Sequence, residues 1–188
     1  MTSHESNTAN AHGPRVVLVG APGSGKTTVG RLIAKRWQVE FRDTDHDIER
    51  NAGRTVSDIF IEQSEEHFRS LERAAVAEAL EQHRGVLALG AGAVLSDDTR
   101  RLLRGHRVVH LDVGLAAAMK RLEMNRSRPL LVGNVRGRWQ ELSAERRPLY
   151  AEVATFTVQT DGKPAQQVAA AVEAALAALS EGESSNDG

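Results

Sequence analysis

A chain of 188 residues, 40% hydrophobic and 26% charged, has the make-up of one globular domain, which excludes a fibrous or wholly disordered protein. Its 24 basic and 25 acidic side chains leave a net charge of −1, too little to hold a phosphate backbone, so no nucleic-acid partner is expected. The lack of cysteine excludes disulfides, thiolate metal sites and a cysteine nucleophile. With no signal-like apolar stretch in residues 1–13 and no run near the roughly 18 apolar residues of a membrane span, a soluble cytoplasmic protein without membrane partners is expected.

Polar, small-residue stretches at 1–14 and 180–188 are expected to be disordered tails around a single domain at 15–179. Val16–Val19 reads as the first strand. Directly after it comes Gly20-Ala21-Pro22-Gly23-Ser24-Gly25-Lys26-Thr27, the pattern G-x-x-x-x-G-K-[ST], opening into a helix at Lys26–Trp37. Strand before and helix after are the context in which this loop cradles phosphates. Its glycines let successive N–H groups face one anion, and the following helix adds the positive end of its dipole. Lys26 then supplies a charge to the β- and γ-phosphates, and the Thr27 hydroxyl is positioned to ligate Mg²⁺.

A weak second strand at Glu40–Arg42 leads into Asp43-Thr44-Asp45. Two carboxylates at this strand end can serve a metal and an attacking hydroxyl, or simply cap a short helix near Ile48–Asn51. Thr55-x-x-Asp58 signals a helix at Ser57–Gln63, and Ser64 one at Glu65–His83, where Phe68, Leu71, Ala75 and Ala79 share a face. Arg69 lies beside that face, with Glu72 at i+3 able to hold its guanidinium. The third strand, Val86–Leu89, ends in Gly90-Ala91-Gly92, small residues that let a ligand approach the backbone.

A helix at Asp97–Arg104 and a strand at Arg107–Leu111 follow. Asp112 at that strand's end reads as a helix cap in preference to a metal-binding aspartate. Next come a helix at Leu115–Met124, a cationic lid with glycines and a proline at 125–137, a helix at Arg138–Glu145, a strand at Thr155–Gln159 and a helix at Ala165–Leu179. No N/T-K-x-D guanine-reading element is present, which speaks against a switch GTPase. Alternating aliphatic strands and helices predict a parallel sheet covered on both faces, with ligands at the carboxyl ends of its strands.

Behind the phosphate loop, Asp43-x-Asp45, Phe68-Arg69-x-x-Glu72, Gly90-Ala91-Gly92, Arg128-Pro129-Leu130-Leu131 and Arg146-Arg147-Pro148-Leu149-Tyr150 resemble the motif series of shikimate kinase, in order and spacing, over about Arg15–Leu179. The resemblance implies a P-loop kinase fold: a three-layer α/β/α sandwich around a five-stranded parallel sheet of order 2-3-1-4-5, with a mobile lid. It also implies a monomeric enzyme that moves the γ-phosphoryl of ATP, with Mg²⁺, to the 3-hydroxyl of shikimate in aromatic amino-acid biosynthesis.

Carried over by position, Gly23, Ser24, Gly25, Lys26, Thr27 and Thr28 would bind ATP together with Arg121, which would stack on adenine, and Arg128, which would close over the phosphates from the lid. Asp43 would sit in the second shell of Mg²⁺ and Thr27 would bind it directly. Asp45 would orient the acceptor hydroxyl, and Arg69 and Arg146 would clamp the carboxylate, beside Gly90, Ala91 and Gly92. Lys26, Asp45 and Arg128 would carry the catalysis. Residues 160–164 match the family's adenine loop loosely. Ala91 stands where the family usually has glycine: it keeps a backbone N–H, and its methyl would be strained only in a left-handed backbone. A gluconate-type kinase and a catalytically silent nucleotide-binding regulator are the competing readings.

Overall fold

A computed structural model describes residues 13–124 and 133–185. Its centre is β1 (Val16–Val19), whose four side chains are all buried. Successive strand side chains point to opposite faces, so four aliphatic residues in a row require cover on both sides. Around β1 stand β2 (Phe41–Asp43), β3 (Val86–Ala88), β4 (Val108–Asp112) and β5 (Phe156–Gln159), in the order β2-β3-β1-β4-β5. Every pairing is parallel; Leu18, for example, lies opposite Ala88 on one side and Val109 on the other. The expected fold and strand order are therefore observed.

The helices are α1 (Lys26–Trp37), α2 (Thr44–Ala52), α3 (Val56–Glu62), α4 (Glu65–Gln82), α5 (Asp97–Leu103), α6 (Leu115–Met124), α7 (Val135–Val153) and α8 (Ala165–Ser185). Val16, Leu18, Val109 and Leu111 face α1 and α8, packing with Val29, Ile33, Val168 and Val172. Val17, Val19 and Leu87 face the other way, onto Val76 and Leu80 of α4, Leu103 of α5 and the aromatic rings of Trp139 and Tyr150 of α7. Each such side chain, fully buried, contributes about 1.5–3 kcal/mol. A third, smaller core of Ile48, Ile59, Phe68 and Ala75 joins α2, α3 and α4. The expected caps are in place: Thr55 accepts from the Asp58 N–H and Ser64 from the His67 N–H, both at 3.1 Å.

Several boundaries differ from expectation. Gly13 and Pro14, assigned to a disordered tail at 1–14, are buried. Gly13 packs where an added Cβ would lie 2.7 Å from the ring of His106. The last helix does not stop at Leu179 with a disordered tail from Ser180; it continues to Ser185. The expected helix at Arg138–Glu145 is one segment of α7, which begins inside the expected lid at Val135 and passes through Pro148. The rest of that lid at 125–132, with Arg128, lies outside the described residues. Asp112 is engaged laterally: its carboxylate accepts from Gln159 Nε2 at 2.7 Å and pairs with Arg147 at 3.4 Å, since the neighbouring strand end offers it partners.

Candidate active site

At the carboxyl end of β1 the chain turns back on itself and enters α1 through Gly25, whose φ of 93° is a left-handed conformation that glycine takes without strain. Ser24, 1% exposed, is tucked beneath the loop. Lys26 folds back over it, donating from Nζ to the carbonyls of Gly20 at 2.7 Å and Ala21 at 3.3 Å. An incoming phosphate would thus compete with neutral carbonyls for an ammonium already at the centre of the loop, and charge-assisted hydrogen bonds are about twice as strong as neutral ones. Gly23, Gly25, Lys26, Thr27, Thr28 and Arg121 line one cavity. Arg121 is a strut across it: Nη1 donates to the carbonyls of Gly23 (3.1 Å) and Ser24 (3.3 Å) and to Thr160 Oγ1 (3.0 Å), and Nη2 to the Thr160 carbonyl (2.8 Å). It therefore joins the phosphate loop to the turn after β5.

The Asp43-Thr44-Asp45 segment does both things its sequence allows. Asp43 caps α2, its Oδ1 accepting from the Asp45 N–H at 3.0 Å, while its Oδ2 accepts from the Thr27 hydroxyl at 2.9 Å. That leaves two hard oxygens side by side, one of them on Thr27 of the cavity lining, the donor type that Mg²⁺ prefers. Thr44, fully buried, accepts the Gly90 N–H at 3.1 Å. Gly90 is thereby held behind the site wall, with its N–H already engaged.

Asp45, Arg69, Ala91, Gly92 and Arg146 line a second cavity, walled by Phe60 and Phe68. The two cavities are adjacent, because Pro22 lines this one and Gly23, the next residue of the phosphate loop, lines the first. Arg69 is held by Glu72 at 2.6 Å and Glu65 at 3.4 Å. Its guanidinium carbon lies 5.4 Å and 5.8 Å from the ring centroids of Phe68 and Phe60, a cation–π arrangement that fixes the plane of the fork. Gly92 leaves room for this fork: a Cβ at that position would displace the Arg69 guanidinium. Arg146 reaches the cavity from α7 and is 6% exposed, and its Nε is buried without a hydrogen-bond partner among the described groups. Burial pushes the Glu72 carboxyl above the usual carboxylate range, against the pull of Arg69 and Arg146.

Ala91 carries no strain, because Gln38 is the one non-glycine residue with positive φ among the described residues. Sequence reasoning overlooked the two buried anchors on α7. The Trp139 indole donates to the Pro22 carbonyl at 2.9 Å, and the Tyr150 hydroxyl to the Ala91 carbonyl at 2.6 Å. It also missed the aromatic wall of Phe60, which looks like any apolar residue of a short helix.

A family model described as shikimate kinase matches residues 22–177, which takes in both cavities. The chain belongs to the shikimate kinase family. It is 57% identical to a shikimate kinase of Frankia casuarinae over 172 residues, 92% of this chain and 76% of that one. A shikimate kinase of Salinispora tropica is also 57% identical, over 87% of this chain and 98% of its own. Among solved structures, shikimate kinase from Acinetobacter baumannii in complex with shikimate superposes with a TM-score of 0.85 at 34% identity, covering 90% of this chain and 95% of that one. For a shikimate kinase family member, two adjoining cavities suit two small-molecule substrates, one lined by the glycine-rich loop with Lys26 and one by Arg69 and Arg146. Among the described residues no helix is long and apolar enough to cross a membrane.

Proposed function

We propose that the two cavities are the halves of one phosphoryl-transfer site, with ATP bound over the phosphate loop and shikimate in the cavity of Asp45, Arg69 and Arg146. The observation that carries this is convergence. These three side chains come from α2, α4 and α7, far apart in sequence, and meet in one cavity beside the loop. One carboxylate and several hydroxyls are what two arginine forks and an aspartate are suited to hold.

Lys26 draws the γ-phosphoryl toward the acceptor and offsets the charge that spreads over its oxygens in the transition state. Gly23, Gly25 and Thr28 contact the phosphates through the loop and the start of α1, with Ser24 shaping the loop from below, and Arg121 presents the flat face of its guanidinium to adenine. Arg128, in the place of the family's lid arginine, would cover the phosphates and exclude water. Mg²⁺ would be held by the Thr27 hydroxyl directly, with Asp43 supporting it from the second shell, and would supply neutralisation of the phosphate charge. Asp45 accepts a hydrogen bond from the 3-hydroxyl, orients its oxygen in line and takes the proton as the new O–P bond forms and the γ-phosphorus bond to the bridging oxygen breaks, releasing ADP. Arg69 and Arg146 hold the carboxylate at the far end, with Ala91 and Gly92 forming the wall and Gly90 supporting it from behind. The enzyme works as a monomer in the cytoplasm, and no nucleic acid or membrane takes part.

ADP release measured with ATP, Mg²⁺ and a panel of hydroxy acids tests this reading. Rapid turnover with shikimate and background rates with gluconate are expected. Turnover of gluconate in place of shikimate would transfer the site to an open-chain acid, and no turnover with any acceptor would leave a nucleotide-binding regulator.

A further inference from the structure

Tyr150 is given no part in the chemistry above, yet it ties the acceptor cavity to α7. It is 2% exposed, and its ring stacks on His110 of β4 with centroids 4.9 Å apart and planes 25° apart. Its hydroxyl donates a 2.6 Å hydrogen bond to the Ala91 carbonyl, in the turn that walls the cavity. Arg146 stands one helical turn earlier, and residues at i and i+4 share a face. Trp139, Ser143, Arg146 and Tyr150 are the buried residues of α7, so this face sets a hydroxyl and a guanidinium between two aromatic rings of the core.

The geometry has a direct consequence. In a planar trans peptide the carbonyl and the next N–H point in opposite directions. A hydroxyl that pins the Ala91 carbonyl toward α7 therefore turns the Gly92 N–H away from Tyr150 and sets the plane of a peptide unit lining the cavity. Burial pushes the phenol up to about 12, so it remains a donor throughout the working pH range.

We propose that Tyr150 is a positioning residue for the acceptor substrate: its hydroxyl fixes the Ala91–Gly92 peptide plane and ties that plane to the helix that carries Arg146. The proposal rests on reading that cavity as the shikimate site, and wild-type turnover of shikimate tests that reading separately. Tyr150→Phe keeps the ring on His110 and removes only the hydroxyl. We expect the KM for shikimate to rise about 5- to 10-fold, the loss of one buried hydrogen bond, with the KM for ATP within about twofold of wild type. A merely structural tyrosine would move both KM values together or neither, and either result overturns the proposal.

Tyr150 is the single tyrosine of the chain, so biosynthetic incorporation of a fluorotyrosine reports on it alone and needs no destabilising variant. Its fluorine resonance should shift on saturation with shikimate in the absence of nucleotide. A resonance indifferent to shikimate would contradict the role.

Discussion

The Thr27 hydroxyl and the Asp43 carboxylate stand 2.9 Å apart across 16 positions of sequence, joining the first residues of α1 to the end of β2. Asp43 also caps α2, so one carboxylate orients the proposed metal ligand and starts the helix that carries Asp45. Asn is as good a cap as Asp, which allows the two jobs to be separated. Asp43→Asn should leave thermal stability nearly unchanged while raising the Mg²⁺ concentration for half-maximal rate about 10-fold, the scale of losing an outer-shell partner. A Mg²⁺ titration identical to wild type would remove Asp43 from the metal site.

Lys26 hydrogen-bonds two carbonyls of its own loop, and it belongs to none of the three hydrophobic clusters. Lys26→Ala should therefore lower kcat by about 100- to 1,000-fold or more, as expected for the loss of a fixed group that stabilises developing charge, while stability falls by no more than about 1.5 kcal/mol. Single-turnover kinetics and thermal unfolding on the same preparation check both halves.

How far these residues could be read from the sequence depended on how they are buried. The phosphate loop and the aliphatic strands announce themselves, because their chemistry is local: glycines at fixed offsets, and continuous aliphatic runs that need two covering layers. Helix α7 does not. Its buried face is Trp139, Ser143, Arg146 and Tyr150, so a serine and an arginine interrupt the apolar period, and Pro148 suggests a break. The helix continues because a proline removes only one main-chain hydrogen bond and crowds one carbonyl, at a cost of about 3 kcal/mol, which burial of two large aromatic rings can offset. Motif spacing located Arg146 and Arg69, whereas the wall of Phe60 and the anchors of Trp139 and Tyr150 exist only once α3, α4 and α7 have packed. Asp112 misled for a related reason: its partners, Gln159 and Arg147, arrive from elements much later in the chain.

Glu72 gives the acceptor cavity a pH dependence. Burial raises its carboxyl above the ordinary glutamate value of 4.5, so on acidification it takes up a proton while exposed glutamates are still charged. A neutral Glu72 loses its ion pair with Arg69 and holds it less firmly, and the KM for shikimate should rise as pH falls toward that raised value, starting above 4.5. The stability contribution has the opposite sense. The folded chain binds this proton more tightly than the unfolded one, so the contribution is fullest below 4.5 and is lost as pH rises through the folded value. Glu72→Gln should show a high KM for shikimate at every pH and no acid limb of this origin; an unchanged acid limb would assign the titration elsewhere.

The central claim is that Arg69 and Arg146 read the acceptor's carboxylate, and the most direct test is a kinetic cycle between enzyme and substrate. Shikimate and its carboxamide are compared on the wild type and on Arg146→Lys, with kcat/KM as the readout. Lysine keeps the charge and loses the planar fork, so the substitution should lower kcat/KM for shikimate about 10- to 100-fold, in line with a charged hydrogen bond of about 1.5–3 kcal/mol. The carboxamide should do similar damage to the wild type and little more to the variant, because both changes remove the same contact. If the two losses multiply, or if the wild type phosphorylates the carboxamide as well as the acid, the arginines do not clamp a carboxylate and the assignment of the acceptor cavity is wrong.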